Sequence, residues 1–443
     1  MNAAPEAFKS YYQFCVDQVA HGYGLSDVAI DNVISQCEKF VAEKDNHYLI
    51  DIFNDKIDNI TFALEQKTAA EYKELAKKGI QGPLCNAYDY VAKHLGALKG
   101  SDIQVGGLST YGEEGLEYYR LDLGHTLGLP DIDLEEAIRF IDNELYKYNV
   151  QIDAVVRQYG NLSARDGIQF YTAVTEGTPV YTRLSYDQLL ASYQELAKQF
   201  VPDIEEMPEI SIKYVYESLE DNFSPAAYFV SPLDETRFES IYLNGKYSDD
   251  VNYIFTTLAH EGYPGHLYQN VYAKHLDIPT VRKALRCQGY MEGWAVYMEL
   301  NAYQWVSNYN SAGLKLALEY NRLDDIVNGL LSCRVDLGVH AQGWTAKDIA
   351  EFMTKTFGSE YEEDKMVSFY EQIVEIPTNM SMYYYSWATL MNLHDSAKKA
   401  LGSFFDEVGF NKVILDCGAA PLHVVIDACN QYIADMSFLY FGE

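Results

Sequence analysis

Apolar residues recur at three- and four-residue spacing over most of the chain, which is the repeat that places them on one face of an α-helix. The clearest example is DLEEAIRFIDNELYKYNVQIDAVVRQYG, residues 133–160. Glycine and proline interrupt the pattern, as at GLPDID (128–133), and mark a loop between helices. The pattern predicts a helical N-terminal region over residues 1–204.

The pattern changes after Phe200. VPDIEEMPEI (201–210) carries two prolines and several acidic residues, as linkers do. Three short runs with strand-like composition follow, ISIKYVY (210–216), AAYFVS (226–231) and RFESIYLN (237–244), and the helical repeat returns after Gly245. We therefore predict a mostly α protein with a small β-sheet (α+β), whose second region covers residues 205–443.

Composition excludes several classes of protein. The 65 acidic residues outnumber the 33 basic ones and give a net charge of −32, which argues against nucleic acid and anionic membrane surfaces as partners. No apolar run reaches the ~18 residues of a membrane-spanning helix, and we expect no signal peptide because MNAAPEAFKS lacks a basic and then an apolar region. The seven scattered cysteines form no CxxC pair, which predicts free thiols.

The segment HEGYPGH, residues 260–266, is the first candidate for chemistry. On a regular helix, residues six apart point about 240° away from each other, so His260 and His266 could not share a metal ion. Pro264 lacks an N–H and clashes with the carbonyl four residues back, while Gly265 permits unusual dihedral angles. We expect a bulge of two extra residues here, which would bring both imidazoles to one side.

A three-ligand metal site needs one more donor, and EGWAVYME (292–299) supplies a candidate. Glu292 and Glu299 are seven residues apart and face the same side of a helix. Both have apolar neighbours, and buried carboxylates require partners. A metal ion would satisfy Glu292, and a ligand histidine would satisfy Glu299.

These motifs resemble the bacterial family known as domain of unknown function 885, in which HExxPGH is followed by EGWAxYxE. SPAAYF (224–229), YLN (242–244) and DLGVHAQGWT (336–345) also resemble that family, and the resemblance spans roughly residues 105 to 443. The family is similar to zincin-type metallopeptidases, because thimet-type oligopeptidases and Taq-type carboxypeptidases space their glutamates in the same way. Its members are often longer at the N-terminus and exported or lipid-anchored, so the cellular location stays open.

The resemblance implies a zincin-like architecture with one Zn²⁺ per chain. It assigns His260, His266 and Glu292 as ligands and Glu261 as general base. IPTNMSMYYYSWATL (376–390) resembles the PGQAxSY stretch of the family and aligns Tyr383 with its tyrosine. Because Thr378 and Asn379 replace Gly and Gln there, Tyr384 and Tyr385 stay alternatives.

The function implied is zinc-dependent hydrolysis of oligopeptides, in which Tyr383 stabilises the oxyanion. We expect the strand at 237–244, with Tyr242, to lie at the sheet edge and pair with an extended peptide. His340 and Arg334 are further candidates for substrate binding, although we favour a helix-capping or core histidine for the first and a structural ion pair for the second. Two alternatives remain open, a metal-dependent amidase acting on a non-peptide amide and a non-catalytic peptide-binding protein.

Overall fold

A computed structural model describes residues 1–60, 64, 66–100, 106–175, 184–247, 251–306 and 311–442. These residues are mostly helical and include a three-stranded sheet, so the predicted mixture of helices with a small sheet is confirmed. Internal contacts divide the chain into two units, Met1–Gly106 and Gly107–Glu443. Residue 205, near which we predicted a boundary, lies inside the second unit. The sequence changes there from helix to strand, but both parts belong to the same set of internal contacts.

The first unit consists of helices with locally encoded ends. Ser26 accepts a hydrogen bond from the Ala29 N–H at the start of α2, and Thr68 forms a capping box with Glu71 at the start of α4. The helices are α1 (Ala4–Ala20), α2 (Asp27–Ala42), α3 (Tyr48–Asp58), α4 (Ala69–Gly79) and α5 (Cys85–His94).

The second unit contains the sheet and the remaining described helices. Before the sheet come α6 (Gly112–Leu127), α7 (Leu134–Tyr159), α8 (Ala164–Thr175) and α9 (Tyr186–Leu196). After it come α10 (Val251–Glu261), α11 (His266–His275), α12 (Thr280–Ala284), α13 (Gln288–Trp305), α14 (Ala312–Gln342), α15 (Ala346–Phe357), α16 (Glu363–Glu375), α17 (Ser386–Leu401), α18 (Glu407–Asp416) and α19 (Leu422–Phe441). No helix in the described ranges is long and apolar enough to cross a membrane.

Two of these helices, α13 and α14, form the centre of the core. α14 packs against α7 and α8, and α13 packs against α10 and α17. Along α13, Trp294, Ala295, Val296 and Met298 are all almost fully buried, so this helix has no solvent-facing side over that stretch. A glutamate on such a helix must find its partner inside the protein.

The sheet has the order β1-β3-β2, with β1 at Glu209–Tyr214, β2 at Ala226–Tyr228 and β3 at Phe238–Leu243. β3 pairs in parallel with β1 and antiparallel with β2. The prediction that the strand at 237–244 lies at the sheet edge is therefore wrong. Within the described residues β2 pairs with β3 on one side only, and β2 packs against α10.

Candidate metal centre

The helix that carries His260 is interrupted before His266. α10 ends at Glu261 and α11 begins at His266. In between, the Gly265 N–H donates to the carbonyl of Ala259, six residues back, at 3.0 Å, whereas a regular helix bonds to the residue four back. Two extra residues are thus looped out, and the His260 and His266 ring centroids lie 4.8 Å apart.

The chemistry of the loop explains its sequence. A Cβ atom at position 265 would lie 1.9 Å from the carbonyl oxygen of His260, so only glycine fits there. The Tyr263–Pro264 peptide bond is cis. The freed carbonyl of Pro264 accepts a hydrogen bond of 2.9 Å from the indole N–H of Trp294 on α13, which ties the loop to the helix that carries Glu292.

Three candidate ligand atoms converge beside this loop. Glu292 Oε2 lies 3.5 Å from His260 Nε2 and 3.2 Å from His266 Nε2. One donor atom from each of the three residues lies within 4.8 Å of the others. Among the described residues, this is the one cluster of three such metal-binding side chains. Donors ~2.05 Å from a tetrahedral zinc ion would be about 3.3 Å apart, which is close to the 3.5 and 3.2 Å that separate Glu292 from the two histidines.

Glu299 positions the first histidine. Its Oε2 lies 2.9 Å from His260 Nδ1, which directs Nε2 of the same ring toward Glu292. Burial lowers the pKa of His260, but Glu299, Glu292 and Glu261 outweigh that effect and raise it well above its usual value. For Glu292 the two effects have the opposite signs. Burial raises its pKa, but the hydrogen bonds from His260 and His266 outweigh burial and lower the pKa to about 2.

Glu261 lies in a cavity of about 550 Å³ together with the three candidate ligands. Its Oε2 accepts a hydrogen bond of 2.8 Å from the backbone N–H of Tyr228 on β2. This contact holds the carboxylate in place between the sheet and α10. No role for Tyr228 could be predicted from the sequence, because a backbone contact between residues 33 positions apart leaves no signal in residue types.

Of the three consecutive tyrosines, Tyr383 lines this cavity and places its ring 6.3 Å from that of His260. Burial, together with Glu292 and other carboxylates, raises its pKa, so the phenol stays a hydrogen-bond donor at neutral pH. The ring of Tyr384 instead occupies the space above Gly329, where a Cβ would lie 2.2 Å from it. Tyr385 packs on Phe140.

The turn before Tyr383 accounts for the departure from the family motif. Thr378 stands where the motif has glycine, and it adopts a left-handed backbone with φ of 63°. Its N–H donates to Asp336 Oδ1 at 2.9 Å, and its hydroxyl lies 3.2 Å from that of Thr126. These buried contacts hold the non-glycine residue in the glycine conformation.

The structure does not bring His340 to the cavity. Its side chain is fully buried, Nδ1 accepts from the Leu108 N–H at 3.1 Å, and Nε2 donates to the Ile373 carbonyl at 2.9 Å. Both ring nitrogens are occupied by backbone groups, so the expectation that His340 binds substrate is not supported by its position. Its role in this fold is to join three segments of the core.

Arg334 and Tyr242 also lie outside the cavity lining. The Arg334 guanidinium donates to Asp142 Oδ1 at 2.7 Å and stacks 4.4 Å from the Trp344 ring, which is the structural ion pair that the sequence left open. Tyr242 is on the central strand and packs against Phe229. Because both side chains have structural partners and lie outside the cavity lining, their positions give the substrate-binding expectation no support.

Comparisons with known proteins place the chain in a family. The sequence profile described as "Bacterial protein of unknown function (DUF885)" matches residues 1–428. The chain belongs to the DUF885 family. This match starts about a hundred residues before the motifs recognised in the sequence. No curated protein matches this DUF885 chain.

Two solved structures share its fold. A "putative lipoprotein from Colwellia psychrerythraea" has a TM-score of 0.77 at 18% identity, over 98% of this chain and 75% of that one. A "putative lipoprotein of unknown function from Shewanella oneidensis" has a TM-score of 0.55 at 12% identity, over 90% and 73%. At these identities the likeness concerns the fold alone.

Proposed function

We propose that this DUF885 protein is a zinc-dependent peptidase that cleaves oligopeptides. The observation that carries the proposal is the convergence of His260, His266 and Glu292 within 4.8 Å, in one cavity with Glu261. Two imidazoles and a carboxylate are a donor set typical of catalytic zinc, and a fourth position is left for water or substrate. The spacing of Glu292 and Glu299, similar to that of thimet-type oligopeptidases, supports a zincin-like relationship.

The hydrogen bonds of the side chains in the cavity are compatible with one metal ion per chain. His260 has one ring nitrogen on Glu299 and the other directed at Glu292, so a single nitrogen remains for a metal. When bound, zinc would polarise a carbonyl group and lower the pKa of a water molecule.

Glu261 acts as general base in this proposal. Its carboxylate would take a proton from the attacking water and deliver it to the nitrogen of the leaving amine. The hydrogen bond from the Tyr228 N–H occupies Oε2, so Oε1 is the atom left to exchange the proton. A peptide-binding protein without activity would have no use for a carboxylate held in this way.

Tyr383 and β2 would bind the reacting peptide. The Tyr383 hydroxyl is a donor in the same cavity and would stabilise the oxyanion, a contribution of about 3 kcal/mol for a single donor. In the described part of the chain β2 is an edge strand that packs against α10, and an extended peptide could add to it as a strand through backbone groups other than the Tyr228 N–H, which Glu261 occupies. The role first expected of the strand at 237–244 therefore passes to β2.

A paired measurement tests the function. Zinc content and cleavage of a mixed peptide library are compared for the wild type, Glu261→Gln and the exposed-site control Glu135→Gln. We expect Glu261→Gln to keep one zinc ion and to lose 10²–10⁴-fold in kcat, while Glu135→Gln matches the wild type. Zinc-loaded wild type that cleaves no peptide, or Glu261→Gln that cleaves at the wild-type rate, would refute the proposal.

A further inference from the structure

The floor of the cavity is one face of α11. His266, Gln269, Asn270 and Ala273 all line it, and their spacing of three, four and seven residues puts them in one stripe. At 1.5 Å per residue, this stripe extends about 10 Å from the candidate metal centre. An extended peptide covers that length with about three residues.

α13 runs in the opposite direction along this floor. His266 Nε2 lies 3.2 Å from Glu292, and one turn further along α11 the Gln269 amide donates to the Tyr290 carbonyl at 3.4 Å. Residues that precede Tyr290 are therefore progressively farther from the metal centre. Arg286, which also lines the cavity, lies just before the N-terminus of α13 and hence toward the far end.

Two cationic side chains line that far end among the described residues, and only one has a structural partner. Lys283 donates to the carbonyl of Lys274 at 2.8 Å, near the end of α11. Its neighbour Arg282 donates to the Cys417 carbonyl at 2.9 Å. Arg286 is exposed and makes no hydrogen bond or ion pair with any described residue.

We propose that Arg286, assisted by Lys283, is a subsite for a carboxylate of the peptide substrate, about three residues from the scissile bond. This inference rests on the peptidase function proposed above and specifies its substrate class. The carboxylate has two possible sources, the C-terminal α-carboxylate of a short peptide or an Asp or Glu side chain. The first would make the enzyme release short C-terminal fragments.

Charge supports an anionic ligand at this point. The chain carries a net charge of −32, so a peptide carboxylate is repelled over most of the surface. A guanidinium offers two parallel N–H donors to a carboxylate, and the N-terminal end of α13 adds a favourable partial charge. A free ammonium group of a substrate would be repelled by the same residues, which excludes the peptide N-terminus from this end.

The test compares matched peptides on zinc-loaded enzyme. One pair differs in a C-terminal acid or amide, and a second, amidated pair has Glu or Gln three residues from the cleaved bond. kcat/KM is measured for the wild type, Arg286→Gln and the control Arg157→Gln, which removes an exposed arginine on α7. In one of the two pairs, we expect the wild type and Arg157→Gln to cleave the peptide with the extra carboxylate with at least tenfold higher kcat/KM. In Arg286→Gln the ratio of kcat/KM within that pair should be near one.

The pair that shows the preference identifies the source of the carboxylate. If the acid-to-amide and Glu-to-Gln ratios of kcat/KM are the same in Arg286→Gln as in the wild type, the subsite is overturned. If the zinc-loaded wild type cleaves none of the peptides, the peptidase function fails separately. The subsite is then tested by calorimetry, which measures the affinity of the same peptides for the wild type and for Arg286→Gln. If the affinity difference within each peptide pair is the same in both proteins, the subsite is overturned.

Discussion

Substitution of Gly265 by alanine is the most informative perturbation of the proposed metal centre. The added Cβ would lie 1.9 Å from the carbonyl oxygen of His260, whereas ordinary contacts of this kind begin near 3.4 Å. The oxygen is part of the backbone and cannot rotate away, so the segments carrying His260 and His266 must separate by about 1 Å or more. Metal–ligand distances tolerate only ~0.2 Å. We therefore expect zinc affinity to fall at least ~100-fold, which is about 2.7 kcal/mol.

The same overlap should lower the free energy of unfolding of the metal-free protein by about 1–3 kcal/mol. The control is Gly167→Ala on α8, where the new Cβ would find the Tyr159 ring at an ordinary 3.6 Å. A helical alanine of this kind should raise stability by about 0.4–1 kcal/mol and leave zinc affinity unchanged. Zinc affinity is measured by competition with a chromogenic chelator, and stability by urea unfolding. Gly265→Ala with wild-type zinc affinity would refute the bulge as the cause of ligand convergence.

Three further predictions concern the surroundings of the site. Glu299→Gln weakens the orientation of His260 and should reduce zinc affinity 10–100-fold in the chelator competition; unchanged affinity would remove Glu299 from the site. Tyr383→Phe should lower kcat by 10²–10³-fold with little change in KM, whereas Tyr385→Phe, whose ring lies against Phe140, should not; equal effects would contradict the assignment. Burial raises the pKa of Asp325 to about 7, so between pH ~4 and 7 the folded state binds more protons than the unfolded one, and stability falls as pH rises. Asp325→Asn should flatten that slope, of at most ~1.4 kcal/mol per pH unit, in urea unfolding from pH 4 to 8; an unchanged slope would assign it to other groups.

The sequence predicted the local features of the site because they depend on neighbouring residues. Pro264 and Gly265 dictate the interruption of the helix through a missing N–H, a ring and a missing Cβ. The seven-residue spacing of Glu292 and Glu299 fixes their common direction on α13. These are properties of short segments, and the structure contains them where the residues indicated.

Long-range features were not predictable in the same way. Strand composition located β1, β2 and β3 but not their order, which depends on what packs against each edge, so the central strand was mistaken for an edge. His340 and Arg334 bear functional residue types, yet their partners lie on segments distant in sequence. The proposed subsite residue Arg286 could be found only from the cavity, because its distinguishing property is the lack of a structural partner among the described residues.

The most direct test of the proposed metal centre is a crystal structure of the zinc-reconstituted protein with data collected at the zinc absorption edge. We predict one anomalous peak per chain, bonded to His260, His266 and Glu292 at about 2.0–2.2 Å. A peak elsewhere, or no peak at this position in protein crystallised with excess zinc, would contradict the account.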